Sequence, residues 1–287
     1  EELKKHTIHP DLPITADVKD VLRSLLDSGF VNENSEHDKW LAWCRKTNAR
    51  YPAVLPAYYE QKSPVNPYVF MNSLFMNLSE EETVVTGNGS ACVISFQAAI
   101  IKKATRLFTN SGSATMGYGV PAALGVSFAK DNERVICIDG DGSIMMNLQE
   151  LQTIAYNHAN IKIFVLNNDG YHSMRQTQSN LFKGALAGIS KENGISFPDM
   201  EKIAYAFGIS YLRIDSAESM DRQIQEAINS DSAVICEVMI DKRQFFEPKL
   251  ASKVLPDGKI ISPDIDDLSP FLSREEYLSN KEIIYRD

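Results

Sequence analysis

The sequence predicts an α/β protein built on a doubly wound, mostly parallel six-stranded sheet flanked by helices. Three observations carry that expectation. Arg134-Val135-Ile136-Cys137-Ile138 and Ile161-Lys162-Ile163-Phe164-Val165-Leu166 are short, β-branched-rich apolar runs, which read as strands buried on both faces of a parallel sheet. Between them Ile144, Leu148, Leu151, Ile154 and Ala155 recur at helical spacing, so the segment reads strand–helix–strand. The two runs end on Gly140-Asp141-Gly142-Ser143 and on Asn167-Asn168, with Asn168 27 residues after Asp141. Oxygen donors are thereby delivered to the carboxyl ends of neighbouring strands, where open parallel sheets bind ligands.

The elements follow in order. Residues 1–30 read as a strand-like piece and then a helix with the stripe Val18, Val21, Leu22, Leu25 and Leu26, stopped at Gly29. Residues 31–63 read as linker and helix. Asn32-Glu33-Asn34-Ser35-Glu36 is the linker, and Ser35 with Asp38 suits the start of a helix through Trp40, Leu41 and Cys44 that Tyr51-Pro52 ends. The main domain spans 64–247. Val69, Leu74 and Met76 belong to its first helix, and strands follow at Thr83–Thr86, Arg106–Thr109, Val135–Ile138, Lys162–Leu166, Ser210–Ile214 and Ala233–Ile240. Helices around 119–130, 147–158, 199–207 and 219–230 separate the later strands, as parallel pairs require a crossover. In the tail, 248–287, Pro256-Asp257-Gly258 lies between Val254-Leu255 and Ile260-Ile261 as a hairpin turn, and Ser273-Arg274-Glu275-Glu276 is a capping box.

Composition narrows the partners. At 287 residues, 44% hydrophobic and 23% charged, the chain reads as an ordinary globular protein with a real core. A formal net charge of −9 without a Lys/Arg cluster argues against nucleic acid. An anionic ligand must then be held by backbone N–H groups and a cation. Cys44, Cys92, Cys137 and Cys236 form no CxxC and read as free thiols of a reducing, cytoplasmic compartment. No apolar run reaches the length of a membrane span and the first residues contain no secretory h-region, so neither membrane nor export is expected. Glu1-Glu2-Leu3-Lys4-Lys5 reads like the interior of a longer protein.

A lone Gly-Asp-Gly is an ordinary turn. A nicotinamide-dinucleotide fingerprint needs a third glycine, which both Gly140-Asp141-Gly142-Ser143-Ile144-Met145 and Gly87-Asn88-Gly89-Ser90-Ala91-Cys92 lack. Asp139, Asp141, Ser143 and Glu150 fall at calcium-loop spacings, but Ile144 stands where that loop requires glycine, and a strand precedes it. The Asn167-Asn168-Asp169-Gly170 end changes the reading. Mg²⁺ takes hard oxygens, few from protein and the rest from phosphate and water. Asp141 offers a charged oxygen, Asn168 a neutral one, and Gly170 a carbonyl that the absence of a Cβ lets turn inward. Glycines beside Asp141 let N–H groups approach a diphosphate, and the helix after Ser143 aims its positive end there.

Gly-Asp-Gly followed at this spacing by Asn-Asn resembles the signature of thiamine diphosphate (ThDP) enzymes of the 2-oxoacid decarboxylase and acetolactate synthase group. The resemblance covers about residues 37–245, a pyrophosphate-binding domain, and makes residues 1–30 the remnant of a central domain. It implies Asp141, Asn168 and Gly170 as Mg²⁺ ligands, with Gly140, Gly142 and Ser143 beside the diphosphate. Ser113-Ala114-Thr115-Met116-Gly117-Tyr118-Gly119 resembles the loop under the cofactor, where Met116 would wedge the two rings into a bent form and the Ala114 carbonyl would accept from the 4′-amino group. The family often has glycine at the Ala114 position; by itself Met116 reads as a core methionine. Gly89 and Ser90 resemble the first diphosphate loop, although acetolactate synthases commonly carry Gln-His at Ser90-Ala91. The resemblance sets Tyr171 beside the cofactor, and Tyr171 is also one of the weaker substrate-side candidates. His172 reads either as a substrate-facing group or as a structural histidine, and Met174, Arg175 and Gln178 are weaker substrate-side candidates. Thr177 stands where acetolactate synthases carry a tryptophan; the tryptophans here are Trp40 and Trp43.

The resemblance implies decarboxylation of a 2-oxoacid such as pyruvate and transfer of the resulting carbanion to a second carbonyl, in a homodimer or tetramer. Related readings are another ThDP decarboxylase or carboligase, for instance in a sugar pathway, and a non-catalytic ThDP-binding module. The glutamate that protonates the aminopyrimidine belongs to a pyrimidine-binding domain without counterpart in these residues, to be supplied by the full-length protein or a partner subunit. FAD, which many acetolactate synthases hold in their central domain, is left open by a 30-residue remnant.

Overall fold

The computed structural model describes residues 2–5, 9–31, 36–182, 184–255 and 257–285. The linker at 32–35 with its Ser35 cap, and Pro256 of the tail turn, lie outside them. The chain divides into two compact units, Glu1–Tyr51 and Pro52–Asp287. In the first, α1 (Val18–Asp27) starts at Asp17, whose carboxylate accepts the Lys19 N–H at 2.8 Å, and ends before Gly29 at φ +61°. Helix α2 spans Glu36–Arg50.

The second unit begins with α3 (Pro67–Asn77), capped by Asn66, whose side-chain oxygen accepts from the N–H groups of Tyr68 and Val69. Proline at the first helical position loses no hydrogen bond there. Then come β1 (Thr83–Thr86), α4 (Ser90–Ala98), β2 (Arg106–Phe108), α5 (Gly119–Ala129), β3 (Val135–Gly140), α6 (Glu150–Tyr156) and β4 (Ile161–Asn167). Helix α7 (His172–Leu181), α8 (Met200–Phe207), β5 (Ser210–Ile214), α9 (Met220–Ile228) and β6 (Val234–Met239) complete the domain. The six strands form one sheet of order β2-β1-β3-β4-β6-β5, and every pairing is parallel. The predicted fold class stands, with "mostly parallel" sharpened to wholly parallel among the described residues.

Strand periodicity sorts the core into two layers. From β3, Ile136 and Ile138 join α3, α4 and α9 on one face, while Val135 and Cys137 join α5, α6 and α8 on the other. Full burial of an aliphatic side chain stabilises by about 1.5–3 kcal/mol, which is why strands covered on both sides read as continuous apolar runs. The expected helix at 147–158 is corrected: a 3₁₀ turn at Ile144–Asn147 precedes the shorter α6. Two helices, α4 and α7, were not anticipated. Of the cysteines, Cys137 and Cys236 are buried, Cys44 and Cys92 only partly, and all four are free.

In the tail, β7 (Lys253–Val254) and β8 (Ile260–Ile261) form the expected antiparallel hairpin, with Gly258 at φ +83°. Helix α10 (Arg274–Tyr285) is capped by Ser273, whose hydroxyl accepts the Glu276 N–H at 3.2 Å. The tail is tied to the domain where Gln97 donates to the Pro248 carbonyl at 2.6 Å. Among the described residues no helix is long and apolar enough to cross a membrane.

Candidate functional site

The chain leaves β1 for α4 on one face of the sheet and leaves β3 for α6 on the other. Connections that diverge from adjacent strands open a crevice at their carboxyl ends. The crevice here is lined by Asn88, Gly89 and Ser90 after β1, by Gly140, Asp141, Gly142 and Ser143 after β3, and by Asn168, Gly170, Tyr171, His172, Ser173 and Met174 after β4, with Met116 from the loop before α5. Neither lysine nor arginine is among these residues.

Asp141 is 4% exposed. One carboxylate oxygen accepts the Gly142 N–H and the other the Gly170 N–H, both at 2.9 Å. Burial nevertheless pushes its pKa up to about 7, against the lowering effect of those two bonds. Such a group calls for a cation. Asn168 is also buried; its amide nitrogen donates to Ser90 Oγ at 3.3 Å, and its oxygen has no partner among the described residues. A buried acceptor left unpaired costs about 1–3 kcal/mol. Gly170 adopts φ +127° and packs directly on the Ile189 carbonyl. The structure thus brings Asp141, Asn168 and Gly170 to one crevice: a carboxylate, an orphaned amide oxygen and a main-chain carbonyl, the donor set of a hard divalent cation. No cluster of three or more His, Cys, Asp or Glu suited to a metal occurs among the described residues.

The loops brace one another. Gly117, at φ +77°, donates its N–H to Ser143 Oγ at 3.0 Å, and Asn147 donates to the Gly117 carbonyl at 2.8 Å. Beneath them Asp139 is fully buried, with one oxygen accepting the Gly140 N–H and the other without a partner among the described residues. A Cβ on Gly87 would stand 2.1 Å, and one on Gly119 2.6 Å, from its carboxylate oxygens, so these glycines make room for it. Burial raises the Asp139 pKa to about 6.

Some expected residues sit differently. Ala114 is exposed at φ +49°, does not line the crevice, and its carbonyl already accepts from Asn88 Nδ2 at 3.0 Å. Arg175 turns away from the lining: it is buried and donates to the Asp169 carbonyl at 2.7 Å. Gln178 commits both ends of its amide to Ala187. Tyr171 packs edge-on against Phe197 and lies where a Cβ on Gly142 would be, 2.4 Å from its ring. Asn88 and Ser173 line the crevice without having been anticipated. Asn88 was legible only as part of Gly87-Asn88-Gly89; nothing in the local pattern singled out Ser173.

His172 borders the crevice but is 5% exposed, wedged against Phe245 and Phe246, with neither ring nitrogen hydrogen-bonded among the described residues. Burial, seconded by the nearby Arg175 charge, lowers its pKa from 6.5 to about 4. The native protein therefore holds the imidazole neutral, while the unfolded chain protonates it first. Its stabilisation is present above pH 6.5 and is lost as pH falls through about 4, roughly 3 kcal/mol in all at about 1.4 kcal/mol per unit. Across pH 7 to 4 the stability of the wild type relative to His172→Phe, measured by urea unfolding, should fall by roughly 3 kcal/mol, a difference in which the opposite pH dependence of Asp139 and Asp141 cancels; a difference independent of pH would overturn the neutral, buried state of the imidazole.

Fold and crevice together define an α/β domain with a crevice at the carboxyl ends of its parallel strands, lined by glycine-rich turns, one carboxylate and no basic side chain. Residues 87–238, more than half of the chain, match the family described as "Thiamine pyrophosphate enzyme, C-terminal TPP binding domain", and the chain belongs to that family. It is similar to the acetolactate synthase large subunit of Cyanidium caldarium, 30% identical over 87% of this chain and 42% of the relative. It is likewise similar to the probable acetolactate synthase large subunit of Methanococcus aeolicus (30%, over 90% and 44%) and to the isozyme 1 large subunit of Escherichia coli K12 (27%, over 83% and 41%). The chain thus spans about two fifths of the length of these relatives. It is an acetolactate synthase-like protein whose described fold contains a ThDP-binding domain.

Proposed function

We propose that this chain is the ThDP–Mg²⁺ half of an acetolactate synthase-like enzyme that decarboxylates a 2-oxoacid such as pyruvate and joins the product to a second carbonyl. The observation that carries the reading is the Asn168 oxygen, buried and without a partner among the described residues, on a residue that lines the same crevice as Asp141 and Gly170. Asp141, Asn168 and the Gly170 carbonyl hold Mg²⁺, and of the 140–143 turn the Ser143 N–H, together with that of Ser90, is left for the diphosphate, the Gly140, Asp141 and Gly142 N–H groups being bonded within the protein. When bound, ThDP supplies the electron sink for cleavage and formation of carbon–carbon bonds next to a carbonyl. Met116 orients the rings, and Tyr171 and His172 border the reacting end and exclude water from it. The proton-transfer glutamate comes from a pyrimidine-binding domain of the full-length protein or a partner subunit, in a homodimer or tetramer. In the same reading residues 1–30 end a central domain, 31–63 connect it, and 248–287 are a tail. A hydroxylated acceptor from sugar metabolism is favoured as second substrate by the polar wall of Asn88 and Ser173, and by Thr177 where a tryptophan is expected.

Calorimetric titration of the chain with ThDP, with and without Mg²⁺, tests the cofactor half: binding is expected only with the cation, and binding indifferent to a chelator removes Mg²⁺ from the reading. The chain alone should not turn over pyruvate, because proton transfer by a positioned side chain contributes about 10²–10⁴-fold. Product analysis of the full-length protein with pyruvate and candidate acceptors identifies the second carbonyl. Absence of any turnover there would favour a non-catalytic binding module.

A further inference from the structure

Glu237 is a carboxylate buried in the middle of β6, opposite Val165 of β4. It does not line the crevice. Its Oε1 accepts from Asn167 Nδ2 at 2.7 Å, its Oε2 from the Tyr211 hydroxyl at 2.6 Å, and the Arg213 guanidinium lies 3.7 Å away. A carboxylate can only accept. It therefore selects the NH₂ side of the Asn167 amide and turns Asn167 Oδ1 the other way, where it accepts the Asp169 N–H at 3.0 Å. That bond closes a turn in which Asp169 takes φ +57° and Gly170 φ +127°. The Gly170 N–H then reaches Asp141 Oδ2 at 2.9 Å. An unbroken chain of hydrogen bonds runs from a buried carboxylate outside the crevice, through Asn167, to the loop carrying Asn168 and Gly170.

We propose that Glu237 is a positioning residue for Mg²⁺–ThDP: by fixing which way the Asn167 amide faces, it sets the 168–170 loop in the conformation that presents the Asn168 oxygen and the Gly170 carbonyl to the cation. The inference rests on the proposed metal site. A merely structural Glu237 would tie β5 to β6 through Tyr211 and Arg213 and leave the loop untouched, and the two oxygens of the carboxylate allow these roles to be separated.

The test is the Mg²⁺ dissociation constant at saturating ThDP, measured calorimetrically on the full chain beside thermal unfolding without cofactor. Tyr211→Phe removes one of the two β5 ties and leaves the Asn167 bond intact, so it should lower the unfolding temperature while leaving Mg²⁺ affinity within about twofold. Glu237→Leu should weaken Mg²⁺ binding by about 10–100-fold, the range seen when groups that orient metal ligands are removed. Glu237→Gln can still offer an oxygen to Asn167 and should recover most of that loss. Should Glu237→Leu not fold, Asn167→Ala interrupts the same chain one bond later and is expected to weaken Mg²⁺ to the same degree. Wild-type affinity in a folded Glu237→Leu or in Asn167→Ala, or an equal loss in Tyr211→Phe, overturns the inference. Failure of the wild-type chain to bind Mg²⁺–ThDP at all would instead bring down the site reading on which it rests.

Discussion

Asp141→Ala is expected to abolish Mg²⁺-dependent ThDP binding, with a loss of more than about a hundredfold, because even residues that only orient a ligand cost 10–100-fold when removed. The carboxylate is the one anionic side chain lining the crevice, and in that lining a cation has no other formal charge to meet. Its two oxygens also accept the Gly142 and Gly170 N–H groups, so the substitution releases the two loops that flank the diphosphate position. The fold should survive. Burial raises the pKa of this carboxyl to about 7 when no cation is beside it, so the ionised group is costly to the cation-free protein. Removing it offsets part of what the two lost hydrogen bonds contributed. Calorimetry with and without a chelator, together with circular dichroism to verify folding, measures the outcome. Binding of a folded Asp141→Ala at wild-type affinity would place the diphosphate elsewhere.

Gly170→Ala is expected to be the most damaging single methyl in the site. At φ +127° an L side chain is strained whatever the space around it, and here the Cβ would lie 1.9 Å from the Ile189 carbonyl oxygen and 2.9 Å from its carbon. Those are backbone atoms that no rotamer change can move. The Ile189 carbonyl is also held in place as the acceptor of the Tyr171 N–H at 3.1 Å. Strain and displaced backbone together should cost at least about 3 kcal/mol, and the carbonyl offered to the cation moves with the loop. Gly140→Ala is the matched control: no atom lies within 4 Å of its added Cβ, so stability should change by less than about 0.5 kcal/mol. Denaturant midpoints of the two variants give the comparison. Equal midpoints would contradict the tight packing of Gly170 on Ile189.

Much of this was legible in the residues. Strands β1 and β5 begin and end at the expected Thr83–Thr86 and Ser210–Ile214. Strand β3 runs two residues beyond its apolar stretch because the ladder continues, Asp139 pairing with Val165 and Gly140 with Leu166. Helices α4 and α7 were missed for opposite reasons. The first is apolar almost all round, with Ala91, Val93, Ile94 and Phe96 in one turn and a half, so no stripe marks it. The second is polar along most of its length and begins directly in the site loop. The 147–158 segment had the right period, but α6 starts only at Glu150, after a 3₁₀ helix at Ile144–Asn147 that carries Met146 and Asn147 against Gly117.

The sequence by itself determined most of the elements and named the candidate donors: hydrophobic period dictates strand and helix locally, and Asp141, Asn168 and the glycines beside them have the chemistry expected of a hard-cation and diphosphate site. Only the tertiary structure decided which groups stand behind them. Asp139 fills the space between Gly87 and Gly119, and Glu237 meets Asn167 from 70 residues away. Both contacts depend on the order in which strands lie side by side, β1 against β3 and β4 against β6. That order is set by packing of whole layers, and local residue patterns carry no record of it.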